Sequence, residues 1–365
     1  MKSKKIFLIS TLLLLSIFIS ACTSSVYAST SWHGLTADAN YAYLAAGNQV
    51  YAVDLNTGLQ KWKFPSDKPN AKGFYANPVL TEDGQLLVPS YDHFLYSVDP
   101  NTGNQKWKSE DLKNRLIASP LVIDNAIFQP SADGNIYKIS LSGGKTILTI
   151  PTSKEPLWAQ PATAPNCGCI IIASMDHNVY SFDTGSGRQL WKTTEDLGGS
   201  IVGKPAVGPD GTVYVGTFGS KLIALDPTTD GKVKWTFPTT DWVWAGAAID
   251  NNILYFGDLS GNLYAVNASD GSSAWVVKPN NTIVDTPVIS GTNIYLTTEA
   301  DSLYTISSAG AISNTAVVGG IIYTAPLIAG DKILVAPTGF GTTLLVALNL
   351  ANPSGAQKWA FTPVK

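Results

Sequence analysis

The chain has 365 residues; 45% are hydrophobic and only 14% charged, where ordinary soluble domains carry about a quarter charged residues. Its 53 Gly and Pro residues allow many turns but are too few for collagen, and 37 aromatics argue against disorder. A net charge of −3 makes nucleic acid a poor partner, and three cysteines cannot build a disulfide-dense scaffold.

Lys2, Lys4 and Lys5 precede an apolar run, Ile6 to Ile19. Fourteen residues are short for a membrane span of about 20 and suit the apolar core of a signal peptide. The run ends Ile19-Ser20-Ala21-Cys22, which resembles the lipobox of bacterial lipoproteins. The resemblance implies cleavage before Cys22 and lipidation of Cys22. The alternative is a plain signal peptide with a chance cysteine, which the small residues at the cut disfavour. Removing residues 1–21 takes three lysines and brings the net charge to −6. Two or more acyl chains on Cys22 would hold the protein firmly to a membrane. Thr23 to Ser31 would reach only about 30 Å, keeping the globular part close to that surface. The expected organisation is therefore a signal peptide over 1–21, an anchored cysteine and tether over 22–31, and one domain over 32–365.

From Trp32 onward a strand-like core recurs. Its copies include Val50-Tyr51-Ala52-Val53-Asp54, Leu95-Tyr96-Ser97-Val98-Asp99, Val179-Tyr180-Ser181-Phe182-Asp183 and Leu222-Ile223-Ala224-Leu225-Asp226. Eight copies occur, their second residues falling at 51, 96, 137, 180, 223, 264, 304 and 346. Each copy carries four short β signals. A first strand contains Pro, as in Ala76-Asn77-Pro78-Val79, and a second is apolar, as in Val213-Tyr214-Val215-Gly216. The core strand follows, then a turn such as Asp54-Leu55-Asn56-Thr57-Gly58, then a strand with Trp, as in Gln60-Lys61-Trp62-Lys63. Four strands per period and no helical pattern read as one propeller blade. Six copies keep the Trp; the third and seventh have Leu148 and Thr315 nearby instead. The predicted fold is all-β, a single eight-bladed β-propeller of four-stranded antiparallel blades.

This repeat, with its Asp-x-x-Thr-Gly turn and following Trp, resembles the quinoprotein-type eight-bladed propellers. Behind a lipobox, it is similar to the BamB-type outer-membrane assembly lipoproteins. That resemblance implies a non-catalytic scaffold that binds the β-barrel assembly machinery where an outer membrane exists. It would lie at the periplasmic face of that membrane, or on the outer surface of the cytoplasmic membrane in a single-membrane cell. Quinoprotein dehydrogenases resemble the same fold. They add long insertions, an adjacent Cys-Cys ring, a Ca²⁺ site and an Asp base, for which the repeats leave no room here. No cofactor or metal is expected.

The recurring Asp54, Asp99, Asp183 and Asp226 fit turn residues that accept backbone N–H groups, and Gly58, Gly103, Gly187 and Gly231 supply positive φ. A hydrophobic pair precedes each first strand. Its second members are Trp32, Tyr75, Ile117, Trp158, Val202, Trp244, Val284 and Tyr323. The aromatic ones, Trp32, Tyr75, Trp158, Trp244 and Tyr323, would ring one channel mouth and seat a protein partner, a glycan or a flat cofactor. Packed between blades they would instead be core, which general burial preference favours. His33 and Asp285 occupy the next position, mostly small elsewhere; they could add polar groups to one channel mouth, and the favoured reading is isolated solvated side chains. His93 and His177 read as turn residues. Cys167-Gly168-Cys169 could form a disulfide or hold two separate thiols. Only two arginines, Arg115 and Arg188, are present, so no arginine cluster exists to capture an anion.

Overall fold

A computed structural model describes residues 32–66, 73–279, 281–339 and 342–363. The signal-peptide, Cys22 and tether expectations fall outside these residues. The described chain forms seven four-stranded antiparallel sheets, a three-stranded sheet as the fourth blade, completed by the bridge Ala162–Ile171, and a two-stranded pair of Ile321–Ile322 with Pro337–Thr338. The sheets of three and four strands are the eight blades of a β-propeller. Blade 1 comprises Gly34–Ala37, Tyr41–Ala46, Gln49–Asp54 and Gln60–Phe64; blade 8 comprises Leu327–Ala329, Lys332–Val335, Leu345–Asn349 and Trp359–Phe361.

Sequence pattern explains position within a blade. The second and third strands are sandwiched between neighbouring blades, and both faces are apolar: Ala42 to Ala45 and Val50, Ala52 and Val53 are fully buried. Outer strands alternate, as in Lys232–Pro238, because one face looks out to solvent. The prolines predicted within the first strands sit just before them: pairing starts at Val79 in blade 2 and Leu121 in blade 3. Proline has no N–H to give a ladder.

Seven blades carry a register shift between third and outer strands at one repeat position, for example between Ala52 and Val53. A bulge twists and re-aims the strand that holds it. Here that strand carries the Trp, which lies on the glycine of the next blade's turn. A Cβ at Gly103 would meet the Trp62 ring at 2.8 Å, one at Gly231 the Trp191 ring at 2.8 Å, and one at Gly271 the Trp235 ring at 2.7 Å. Trp62 Nε1 donates to Pro100 O at 2.8 Å and Trp235 Nε1 to Ala268 O at 3.1 Å. Where blade 3 lacks Trp, Gly187 of blade 4 meets Leu148 and Ile150 instead.

The turns beneath are closed by their aspartates. Asp54 Oδ1 accepts from Asn56 N and Thr57 N, both at 2.9 Å, and Asp99 Oδ1 accepts from Asn101 N and Thr102 N at 2.8 and 3.1 Å. Asp183 takes Ser186 N at 2.7 Å and Asp226 takes Thr228 N at 2.8 Å. The Ser186 and Thr228 hydroxyls, then these backbone donors, hold the Asp183 and Asp226 carboxyls below their ordinary pKa, and the Thr57 N–H does so for Asp54. Gly58, Gly103, Gly187 and Gly231 all have φ between 71° and 75°, so a side chain there would meet both backbone strain and the docked ring.

Each described strand of blade 1 comes from the start of the described chain and each of blade 8 from its end, so no strand from one terminus completes the other's sheet. Side chains close the ring. Trp359 Nε1 donates to Leu55 O at 2.9 Å, its ring covers Gly58, and Tyr51 meets Phe361 edge-on at 5.5 Å. Leu35 and Leu44 pack in one cluster with Leu334 and Leu345.

Candidate interaction surface at the channel mouth

Strand order fixes which residues share an end of the propeller. In each antiparallel blade, the turn between strands two and three lies at the same end as the segment entering strand one. The turns between strands one and two, and three and four, lie at the opposite end. The hydrophobic pairs therefore stand at one end of the propeller. Their first members are core: Phe74, Leu116, Leu157 and Ile201 are fully buried. Their aromatic second members, Trp32, Tyr75, Trp158, Trp244 and Tyr323, are only half-buried.

Three of these rings, Trp32, Tyr75 and Trp244, gather with neighbouring aromatics in two groups. Trp32 and Tyr75 lie 6.4 Å apart, Tyr75 meets Tyr91 edge-on at 4.6 Å, and the Arg115 guanidinium lies 5.9 Å from the Tyr91 ring centre. Burial pushes the Tyr91 phenol up to about 12. In blades 5 and 6, Phe218 stacks on Trp242 at 4.8 Å and on Trp244 at 5.0 Å. Trp242 is 44% exposed. Blades 1–2 and 5–6 are diametrically opposed in a ring of eight, so the groups face each other across the mouth. Phe218 and Trp242 lie outside the pair register and were not singled out from sequence. Their signal is two further aromatics within the blade 5–6 loops.

The surrounding turns are pinned. Tyr96 OH donates to Asp92 and Tyr137 OH to Asp133, both at 2.6 Å, and Tyr264 OH donates to Asp258 at 2.7 Å. His93 and His177 have φ of 75° and 68° in equivalent turns, with Nδ1 3.6 Å from Asp111 and 3.0 Å from Asp196 respectively. Rigid turns present aromatic faces without first ordering them, which lowers the cost of binding.

Inside the mouth the solvated reading of His33 and Asp285 is corrected. His33 is 4% exposed, its Nδ1 lacks a hydrogen-bond partner among the described residues, and burial brings its pKa down to about 4. It follows Trp32 at the seam with blade 8, where Thr324 Oγ1 donates to its backbone oxygen at 2.6 Å. Asp285 is half-buried and accepts from Thr286 N at 2.7 Å and Ala325 N at 2.6 Å. Desolvation nevertheless raises its carboxyl to about 6.

Cys167 and Cys169 form a disulfide with Cα atoms 5.0 Å apart. It lies in the first turn of blade 4, at the end opposite the aromatic mouth. A dehydrogenase quinone would need adjacent cysteines beside its site, so these residues do not fit that cofactor. Among the described residues, no three His, Cys, Asp or Glu side chains are placed to hold a metal ion.

A sequence model of the family described as "Outer membrane protein assembly factor BamB" matches residues 23–166, 175–277 and 228–360. The BamB of Moranella endobia (strain PCIT) is 23% identical over 237 residues, an alignment spanning 61% of this chain and 60% of that protein. A quinoprotein ethanol dehydrogenase of Pseudomonas aeruginosa is 37% identical over 82 residues, only 20% of this chain and 13% of that enzyme. The crystal structure of BamB from Moraxella catarrhalis superposes with a TM-score of 0.68 at 18% identity, over 83% of this chain and 90% of that one. The matched segments run through all eight blades, and the chain belongs to the BamB family of outer membrane protein assembly factors.

Proposed function

We propose that this propeller is a non-catalytic scaffold of the cell envelope, anchored through a lipid on Cys22 and assisting β-barrel proteins into an outer membrane. Family membership supports the role, as does the lipobox-like Ile19-Ser20-Ala21-Cys22. One observation supports the choice of surface: half-buried aromatics stand at the same end of their blades, and Trp242 between two of these blades is 44% exposed. Large exposed aromatics on a pinned frame are what a protein partner's anchor residues seek. The chain enters the described region at Trp32, on this same face. The mouth would therefore be presented to a membrane-bound partner, the β-barrel assembly machinery.

The test is in-cell crosslinking and affinity capture of the full chain beside a Trp158→Ala/Trp244→Ala variant. Recovery of a β-barrel insertase, lost in the variant, supports the reading; equal recovery from both places the contact elsewhere and overturns it. A Cys22→Ala variant should leave the membrane fraction, and one that stays there would overturn the anchor.

A further inference from the structure

The aromatic group of blades 1 and 2, with the arginine that enters blade 3, is one connected surface. Trp32 and Tyr75 lie 6.4 Å apart, and Tyr75 meets Tyr91 edge-on at 4.6 Å. The Arg115 guanidinium lies 5.9 Å from the Tyr91 ring centre. Backbone bonds fix the frame beneath. Tyr91 N donates to Gly73 O at 2.8 Å, Leu116 N to Ser90 O at 3.2 Å and Ala132 N to Arg115 O at 3.0 Å. The Tyr75 ring covers Gly73, where a Cβ would meet it at 2.8 Å. The rings and the cation therefore stand on a frame that binding need not order first.

The polar groups of this surface are open. The Tyr96, Tyr137 and Tyr264 hydroxyls are tied to aspartates. The half-buried Tyr75 and Tyr91 have no such partner for their hydroxyls among the described residues. Arg115 is exposed and forms no ion pair among the described residues. The acids nearest in sequence are engaged elsewhere: Asp92 accepts from Tyr96, and Asp111 lies 3.6 Å from His93 and 3.9 Å from Lys113. Aromatic faces, two phenol hydroxyls and an unpaired guanidinium thus lie side by side. Trp and Tyr beside Arg is the composition that settles at a membrane–water interface. There the rings lie among the headgroups, and a guanidinium forks onto a phosphate. The opposite group of Phe218, Trp242 and Trp244 has no cation over its rings among the described residues.

The chain itself says which occupant this surface meets. Trp32 belongs to the patch, and only Thr23 to Ser31 separate it from Cys22. Nine residues reach at most about 30 Å. We propose that Trp32, Tyr75, Tyr91 and Arg115 rest on the phospholipid headgroups of the leaflet that holds Cys22, with Arg115 paired to a lipid phosphate. The inference rests on the Cys22 anchor and is independent of the protein-partner reading. An acyl anchor and a protein patch at one rim give two attachments. They set the tilt of the propeller and leave the Phe218–Trp242 stack at the opposite rim clear of the lipid.

The full lipidated protein is reconstituted in vesicles of phosphatidylethanolamine and phosphatidylglycerol brominated high on one acyl chain. Flotation reports the anchor, and bromine quenching of tryptophan reports the patch. Wild-type protein should float and be quenched. The quench should fall to about half or less in Trp32→Phe, which removes the ring, and in Arg115→Gln, which removes the phosphate partner. Arg115 is exposed and unpaired, so Arg115→Gln should float as well as wild type and keep its melting curve. Protein that fails to float overturns the anchor and the contact with it. Protein that floats without quenching, or whose quenching is unchanged in Trp32→Phe or Arg115→Gln, overturns the contact and leaves the anchor standing. A membrane partner lost in Arg115→Gln with quenching unchanged would assign the patch to protein instead.

Discussion

Two residues at the channel mouth set opposing pH responses. His33 is nine-tenths buried with its pKa down at about 4, so between roughly pH 6.5 and 4 the unfolded chain binds more protons there. Its contribution is present above about pH 6.5 and is lost as pH falls toward 4, by about 3 kcal/mol. Asp285 is raised to about 6, so the folded state binds more protons between pH 3.8 and 6. Its contribution is present at low pH and is lost as pH rises through that window. Denaturant midpoints measured from pH 4 to 7 separate the two. His33→Phe should remove the acid-side loss, and Asp285→Asn should remove the fall in stability between pH 3.8 and 6 while losing one of the two oxygens that accept from Thr286 N and Ala325 N. An acid-side slope unchanged in His33→Phe would refute the assignment.

The blade-to-blade dock is a Trp from one blade on a positive-φ Gly of the next. Gly271→Ala adds a methyl where the Trp235 ring already stands and strains φ of 74°. It should cost about 2–3 kcal/mol in chemical denaturation. Gly330→Ala also has positive φ but meets nothing within 4 Å, and should cost only about 1 kcal/mol. Equal losses would mean that the ring contact contributes nothing. The dock is missing between blades 7 and 8, where Thr315 stands near the Trp position. Amides of Ile312–Val317 in blade 7 should therefore exchange faster than those of Lys232–Pro238 in blade 5. Much of this was legible in sequence. The spacing of Tyr51, Tyr96 and Tyr180 carries the repeat, and the third and seventh copies visibly lack Trp. The bulge that aims each Trp was not legible, because bulges depend on strand pairing and leave no composition mark. Nor was the burial of His33, which follows from a seam formed by residues some 290 positions apart.

At the scale of the whole ring, closure among the described residues rests on side chains, since blades 1 and 8 each complete their own sheet. Trp359→Ala removes the ring over Gly58 and the bond to Leu55 O. It should cost about 3 kcal/mol and loosen blades 1 and 8 before the rest, visible as protection lost first in Tyr41–Ala46 and Leu345–Asn349. Uniform loss across all blades would show that the seam is no weaker than the other joints. The two ends of the propeller also differ in kind. One carries half-buried aromatics on pinned turns, and the other the repeated Asp-capped turns. The central claim is that the aromatic end meets the membrane-bound partner. A photo-crosslinking residue placed at Trp242 on that end, and at the exposed Asn101 on the other, tests it directly in cells. The account predicts crosslinks to a β-barrel insertase from position 242 and none from position 101. Crosslinks to the insertase from position 101 alone would contradict it.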